Sequence, residues 1–171
     1  MELLDIYDLN NKLTGKVVER GSKNVLDGEF IKLCTIWIEN DNKFLIQKCS
    51  KEKNSEYAVT GGHVPSGKTS FEQIMIETEE ELGVSLNENN IKLLGSIPLK
   101  HAIFDVYFYH IEDIKKINFI LQQEEVENLY WLSKDEIQKL IDNEEFRKSS
   151  TEQFKKFISK LENEHQQNLR S

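Results

Sequence analysis

Three glutamates are the residues of this chain best suited to chemistry. Glu77, Glu80 and Glu81 occur at positions i, i+3 and i+4, a spacing that places side chains on one side of an α-helix. Three like charges repel one another there, and a bound cation would relieve the repulsion. Hard divalent cations such as Mg²⁺ and Mn²⁺ prefer oxygen ligands. The alternative is an ordinary solvated acidic face, which is the commoner role of a charge run.

The helix that would carry these carboxylates is predicted over residues 69–82. Thr69 and Glu72 fit a capping box at its start, and Gly83 is a suitable residue to end it. Its core-facing positions share a sector beside the glutamates: Phe71, Ile74, Met75, Thr78 and Leu82. A loop containing Gly61 and Gly62 is predicted before the helix, where exposed backbone groups can approach a ligand closely.

Strand-like segments are predicted on both sides of this helix. "LLDIYDLNNKLTGKVVER" is interpreted as two short strands around a turn, and "FIKLCTIWIENDNKFLIQKCS" as a hairpin of central strands. Further strands are predicted in "IKLLGSIPLK", "AIFDVYFYHIED" and "VENLYWL". A capping box at Ser133 and Glu136 and helical spacing near residues 150–164 predict terminal helices. The order indicates an α+β fold, an α-β-α sandwich with a central mixed β-sheet flanked by helices and an N-terminal β-hairpin.

Composition restricts the class of protein and its partners. A length of 171 residues predicts a single domain over residues 1–171. A formal net charge of -8 disfavours a nucleic acid polymer or an anionic membrane as the partner. No secretory signal or membrane-spanning run is predicted. Two cysteines are too few for a disulfide framework, which favours a reduced, cytoplasmic setting.

The segment "GGHVPSGKTSFEQIMIETEEELGV" resembles the signature of the Nudix hydrolases, G-x5-E-x7-R-E-U-x-E-E-x-G-U, in which U is a bulky apolar residue. The positions that match at the right spacing are Gly62, Glu77, Glu80, Glu81, Gly83 and Val84. Lys68 replaces a glutamate, Ile76 replaces the arginine and Thr78 replaces an apolar residue, so the motif is degenerate. The N-terminal hairpin, "FLIQKCS" and "EEVENLYWLSKDEI" are most similar to the subgroup related to isopentenyl-diphosphate isomerases.

The resemblance implies a fold, a reaction and a set of metal ligands. Nudix proteins typically cleave a diphosphate linked to another moiety, using Mg²⁺ or Mn²⁺, so the expected partner is a small-molecule diphosphate. Carried over residue by residue, Glu77, Glu80 and Glu81 would be the metal ligands. Glu77, Glu81 and Glu125 would be the catalytic residues, with Glu77 and Glu125 as alternative general bases. Glu124 competes with Glu125, and loop solvation explains either residue equally well.

Substrate contacts are expected at Gly61, Gly62, His63 and Lys68. Lys68 would contact a phosphate or a carboxylate as a point charge, or compete with the metal, and His63 is alternatively a hydrogen-bonded loop histidine. Isomerase activity is not expected, because Gly61 stands where those relatives have a catalytic cysteine. Related proteins often use an N-terminal hairpin in dimers, which leaves a homodimer open.

Two functions remain after these departures from the motif. The first is a hydrolase whose activity is reduced by Lys68 and Ile76. The second is a Nudix-fold nucleotide- or diphosphate-binding or regulatory protein with little or no turnover. An arginine from elsewhere, such as Arg20 or Arg147, reaching the Glu80 side would favour the hydrolase, and the lack of one there would favour the binding protein. Cys49 is expected to be a core or pocket-edge thiol.

Overall fold

The structure, a computed structural model, describes residues 1–51, 54–122 and 126–162. It begins with the predicted hairpin, formed by β1 (Leu3–Tyr7) and β2 (Leu13–Glu19), which pair antiparallel as a separate two-stranded sheet. One face of this hairpin is buried through Leu4, Ile6 and Val18. The prediction of two short strands around a turn in this segment is therefore confirmed.

In the described part of the chain, the central sheet has seven strands and is mixed. Its strands are β3 (Ile31–Asn40), β4 (Lys43–Cys49), β5 (Tyr57–Ala58), β6 (Thr60–His63), β7 (Lys92–Leu99), β8 (Ala102–His110) and β9 (Val126–Ser133). β3 and β8 run parallel, whereas the other pairings are antiparallel. Asp41 and Asn42 connect β3 to β4 with positive φ angles of 51° and 62°, as a two-residue hairpin turn requires.

Helices cover both faces of the sheet, which confirms the sandwich. α1 (Ser70–Leu82) lies on one face, and Ile74 packs there with Cys34 and other residues of β3. α2 (Lys134–Asp142) and α3 (Lys148–Gln153) lie on the other, where Trp37 is fully buried. Residues of β3 alternate between the two cores because successive side chains of a strand point to opposite faces.

The C-terminal helix differs from its predicted bounds of 150–164. It begins earlier, at Lys148, and α3 continues into a wider π-type turn over Phe154–Ile158. Leu161 and Glu162 are not helical, and residues 163 and 164 lie outside the described residues. Within the described ranges, no helix is long and apolar enough to cross a membrane.

β3 and β4 separate soon after the turn that joins them. Their register is confined to Glu39 with Phe44 and Asn40 with Lys43, after which β6 pairs with β3 and β5 pairs with β4. Gly61 and Gly62 consequently lie in β6, opposite Thr35 and Cys34, and not in the predicted loop. The prediction of a loop was wrong because these glycines serve close strand packing: a Cβ on Gly61 would lie 2.3 Å from the Cys34 carbonyl oxygen.

Candidate functional site

The start and end of α1 are fixed by local hydrogen bonds. The Thr69 hydroxyl accepts from the Glu72 N–H at 3.1 Å, and the Glu72 carboxylate accepts from the Thr69 N–H at 3.1 Å, which confirms the predicted capping box. Gly83 ends the helix with φ 69° and donates to the Glu79 carbonyl at 2.9 Å. These caps fix where the helix begins and ends, and the burial of Ile74 and Leu82 sets the direction of its glutamates.

A buried polar network joins the same helix to the sheet. Asp105 of β8 accepts hydrogen bonds from Lys32 Nζ at 3.2 Å and from the hydroxyls of Ser70 and Ser96, both at 2.6 Å. The side chains of Lys32 and Asp105 are only 6% and 11% exposed. Because Ser70 is the first residue of α1, this network ties the beginning of the helix to β3, β7 and β8.

A cleft of about 870 Å³ opens where β3 and β4 separate. Its walls include every described residue that the sequence predicted for metal, catalysis or substrate: Gly61, Gly62, His63, Lys68, Glu77, Glu80 and Glu81. His63 is the last residue of β6 and not a loop histidine. Glu124 and Glu125, the predicted late-loop glutamates, lie outside the described residues.

The three glutamates enter the cleft at different depths. Glu81 is buried, at 6% exposure, Glu77 is half-buried and Glu80 is exposed. The difference follows from the helix: Glu81 neighbours the buried residues Thr78 and Leu82, whereas Glu80 lies further toward solvent. Sequence spacing predicted a common face but could not rank these depths.

Glu77 packs directly against the glycine strand. A Cβ placed on Gly62 would lie 2.4 Å from Glu77 Oε1, so the glycine makes room for the carboxylate. Gln73 Nε2 donates to the same oxygen at 2.8 Å. Burial raises the pKa of Glu77, the negative charge of Glu80 raises it further, and the Gln73 hydrogen bond opposes the rise.

The donor set fits a hard divalent cation. The carboxylates of Glu77, Glu80 and Glu81 supply oxygen ligands, and a cation would offset the repulsion from Glu80 that adds to burial in raising the pKa of Glu77. In the part of the chain that the structure describes, no three acidic, histidine or cysteine side chains are already gathered as a metal site. Glu80 is exposed, so its carboxylate can turn toward the other two without loss of packing.

The two unusual residues of the motif also line the cleft. Ile76 is half-buried and gives the wall an apolar patch beside the glutamates. Lys68 is exposed, and its charge contributes to a lowered pKa of Glu72. Both residues therefore change the surface of the cleft that a ligand would contact.

Two arginines from distant parts of the sequence reach the same cleft. Arg20, just after β2, contacts Glu2 with an Nη1–Oε2 distance of 3.2 Å, and its charge opposes the rise in the pKa of Glu77 that burial causes. Arg147, just before α3, donates from Nη2 to Cys49 Sγ at 3.3 Å. Cys49 is 2% exposed and lines the cleft, which confirms a pocket-edge thiol, and burial raises its pKa.

Gln47 and Gln73 line the cleft too and were not predicted as site residues. Gln73 is four residues before Glu77, and glutamine followed by an acid at this spacing is a recognised helical hydrogen-bonding pair. That signal was available in the sequence. Gln47 has no such local signal, because its partner Thr60 belongs to another strand, and the Thr60 hydroxyl donates to Gln47 Oε1 at 3.1 Å only in the folded chain.

The comparisons with known proteins agree with this architecture. The NUDIX domain family matches residues 33–154. A protein of Listeria monocytogenes described as an uncharacterized Nudix hydrolase is 30% identical over 151 residues, covering 85% of this chain and 88% of its own length.

Two solved structures share the fold at lower identity. A protein from Deinococcus radiodurans superposes with a TM-score of 0.70 at 18% identity, over 85% of this chain and 91% of its own. A bifunctional NMN adenylyltransferase/ADP ribose pyrophosphatase from Francisella tularensis, solved with AMP and a Mn ion, gives 0.57 at 13% identity, over 71% of this chain and 39% of its own. Together with the sequence matches, the shared architecture shows that the chain belongs to the Nudix family.

Proposed function

We propose that this chain is a metal-dependent hydrolase that cleaves a diphosphate linkage in a nucleoside diphosphate derivative or a similar small molecule. The observation that carries the proposal is the cleft in which Glu77, Glu80 and Glu81 meet the glycine strand β6, in a chain of the Nudix family. A volume of about 870 Å³ suits a small molecule.

Each described residue has a role under this proposal. Glu77, Glu80 and Glu81 would hold Mg²⁺ or Mn²⁺. Such a cation, when bound, supplies positive charge to the diphosphate and lowers the pKa of an attacking water. Gly61 and Gly62 let the substrate approach the backbone, and His63 and Lys68 stand at the cleft to contact it.

Glu77 is a candidate general base as well as a ligand. Its raised pKa makes its carboxylate a stronger proton acceptor than an exposed glutamate. Glu81, although deeper, is proposed to be required for turnover. Glu125 stays a prediction, as does its competition with Glu124.

The second candidate is a Nudix-fold binding or regulatory protein with little or no turnover. It is favoured by Ile76, which places an apolar side chain where the motif has an arginine. The approach of Arg20 to Glu77 weighs in the other direction. We also propose that the chain belongs to the isopentenyl-diphosphate isomerase-related subgroup without isomerase activity, since Gly61 offers no side chain for that chemistry.

The experiment that tests the proposal is phosphate release from nucleoside diphosphate sugars, dinucleotides and nucleoside triphosphates with Mg²⁺ or Mn²⁺. Wild type is compared with Glu81→Gln and with Glu79→Gln, a matched control because Glu79 is exposed on the same helix. We expect release by wild type and the control, and its loss in Glu81→Gln without unfolding. Full activity of Glu81→Gln would overturn the assignment.

An inactive wild type would point to the binding candidate. Calorimetry would then show whether the metal still binds, and Ile76→Arg would be the next variant, with turnover expected to appear or increase. The predicted single domain, cytoplasmic location and homodimer remain predictions, the last of which light scattering of the purified chain would test.

A further inference from the structure

The cleft carries charge from both faces of the sheet. α1 brings Glu77, Glu80 and Glu81 from one face, and the segment before α3 brings Arg147 from the other. A diphosphate is itself anionic, so the acidic wall alone repels it. Arg147 brings a positive charge to the lining of the same cleft, where it can attract an anionic group.

The backbone around Arg147 is held in place by β5. The Arg147 N–H donates to the Tyr57 carbonyl at 2.8 Å, and the Tyr57 N–H donates to the Glu145 carbonyl at 3.0 Å. Tyr57 and Phe146 accordingly form an isolated parallel bridge. Because Phe146 is buried against Trp37, the position of Arg147 is fixed by the core on that side.

The side chain is oriented by two contacts. Its Nε donates to Glu56 Oε2 at 3.1 Å, and its Nη2 donates to Cys49 Sγ at 3.3 Å. A guanidinium has five N–H donors, so these two contacts with described residues leave three others. The side chain is 38% exposed, and it lines the cleft.

The two neighbours of the Arg147 guanidinium do not cancel its positive charge, so it can still attract an anionic ligand. Cys49 is a neutral partner at ordinary pH, because burial raises the pKa of its thiol. Glu56 is 39% exposed, so solvent screens its attraction. Arg20 also lines the cleft and has a comparable exposed ion pair with Glu2.

We propose that Arg147 binds a phosphate group of the substrate through its remaining guanidinium N–H groups, in the cleft that the glutamates of α1 also line. This inference rests on the proposed function for the substrate class. Planar, bidentate contact with phosphate oxygens is the geometry that a guanidinium favours and that an ammonium cannot reproduce. Arg147 would thereby orient the diphosphate toward the acidic wall.

The test measures binding separately from turnover. Calorimetry would follow inorganic pyrophosphate and a non-hydrolysable nucleoside diphosphate analogue, each with Mg²⁺, on wild type, Arg147→Gln and Arg147→Lys. Lys148→Gln is the matched control, because it removes one positive charge from an exposed neighbour outside the cleft. We expect affinity to fall about 10- to 100-fold in Arg147→Gln, by less in Arg147→Lys, and to be unchanged in Lys148→Gln.

The outcomes separate this inference from the proposed function. Binding that depends on Arg147 without any hydrolysis would support the phosphate contact of Arg147 and reject the proposed hydrolase activity. Hydrolysis with unaltered pyrophosphate affinity and KM in both Arg147 variants would overturn the phosphate contact of Arg147 and leave the proposed hydrolase activity intact. A wild type that binds neither probe would also overturn it. Thermal unfolding of each variant controls for folding, and Arg147→Lys keeps the charge if the glutamine variant is unstable.

Discussion

Adjacent glycines of β6 are expected to respond differently to the same substitution. In Gly62→Ala the new methyl group would lie 2.4 Å from Glu77 Oε1, 2.5 Å from its Cδ and 2.9 Å from Oε2. In Gly61→Ala it would lie 2.3 Å from the Cys34 carbonyl oxygen and 2.8 Å from Thr35 Cγ2. The first obstacle is the end of a flexible side chain, whereas the second is the backbone of a central strand.

The expected magnitudes follow from what has to move. Gly61→Ala should lower the free energy of unfolding by about 1–3 kcal/mol, as overpacking of a core does. For a chain of this size that corresponds to a melting temperature lower by about 2–12 °C. Gly62→Ala should change stability by less than about 1 kcal/mol, because Glu77 can rotate away. If the chain is a hydrolase, displacing Glu77 should reduce turnover about 10²-fold.

Thermal unfolding and metal-dependent hydrolysis of both variants would measure these effects. The double variant Gly62→Ala/Glu77→Ala isolates the contact, since the added methyl should cost no stability once the carboxylate is absent. The reasoning would be refuted by Gly62→Ala that unfolds like Gly61→Ala, or by Gly62→Ala with wild-type turnover in a chain that requires Glu77.

Three further predictions concern stability. Asp105→Ala should reduce the free energy of unfolding by about 3–5 kcal/mol, because it leaves Lys32 buried without its carboxylate; urea unfolding would measure this, and a loss below about 1 kcal/mol would contradict it. Thr69→Ala should cost about 1 kcal/mol in the same assay by removing the α1 cap, and no change would show that the cap is dispensable. The hydrogen bonds of the capping box lower the pKa of Glu72 below its ordinary 4.5, so its ionised form stabilises the fold above that value. The stability difference between wild type and Glu72→Gln should therefore be present at pH 7 and vanish as pH falls through the lowered pKa; a difference that persists at pH 2 would contradict the assignment.

The sequence by itself determined the local elements of this protein. The capping box of Thr69 and Glu72, the N-terminal hairpin and the apolar stripe of α1 were predictable because each depends on residues within a few positions of one another. The glutamate spacing likewise placed three carboxylates on one helical face, and all three line one cleft.

Only the tertiary structure decided how deep those carboxylates lie and what surrounds them. Gly61 and Gly62 are strand residues because they pair with β3, which lies nearly 30 positions earlier in the chain. Arg147 meets Cys49 across 98 positions, a contact that no local pattern encodes. Such contacts depend on how the strands pair and how the helices cover them, and that arrangement exists only once distant segments have been brought together by burial of their apolar faces.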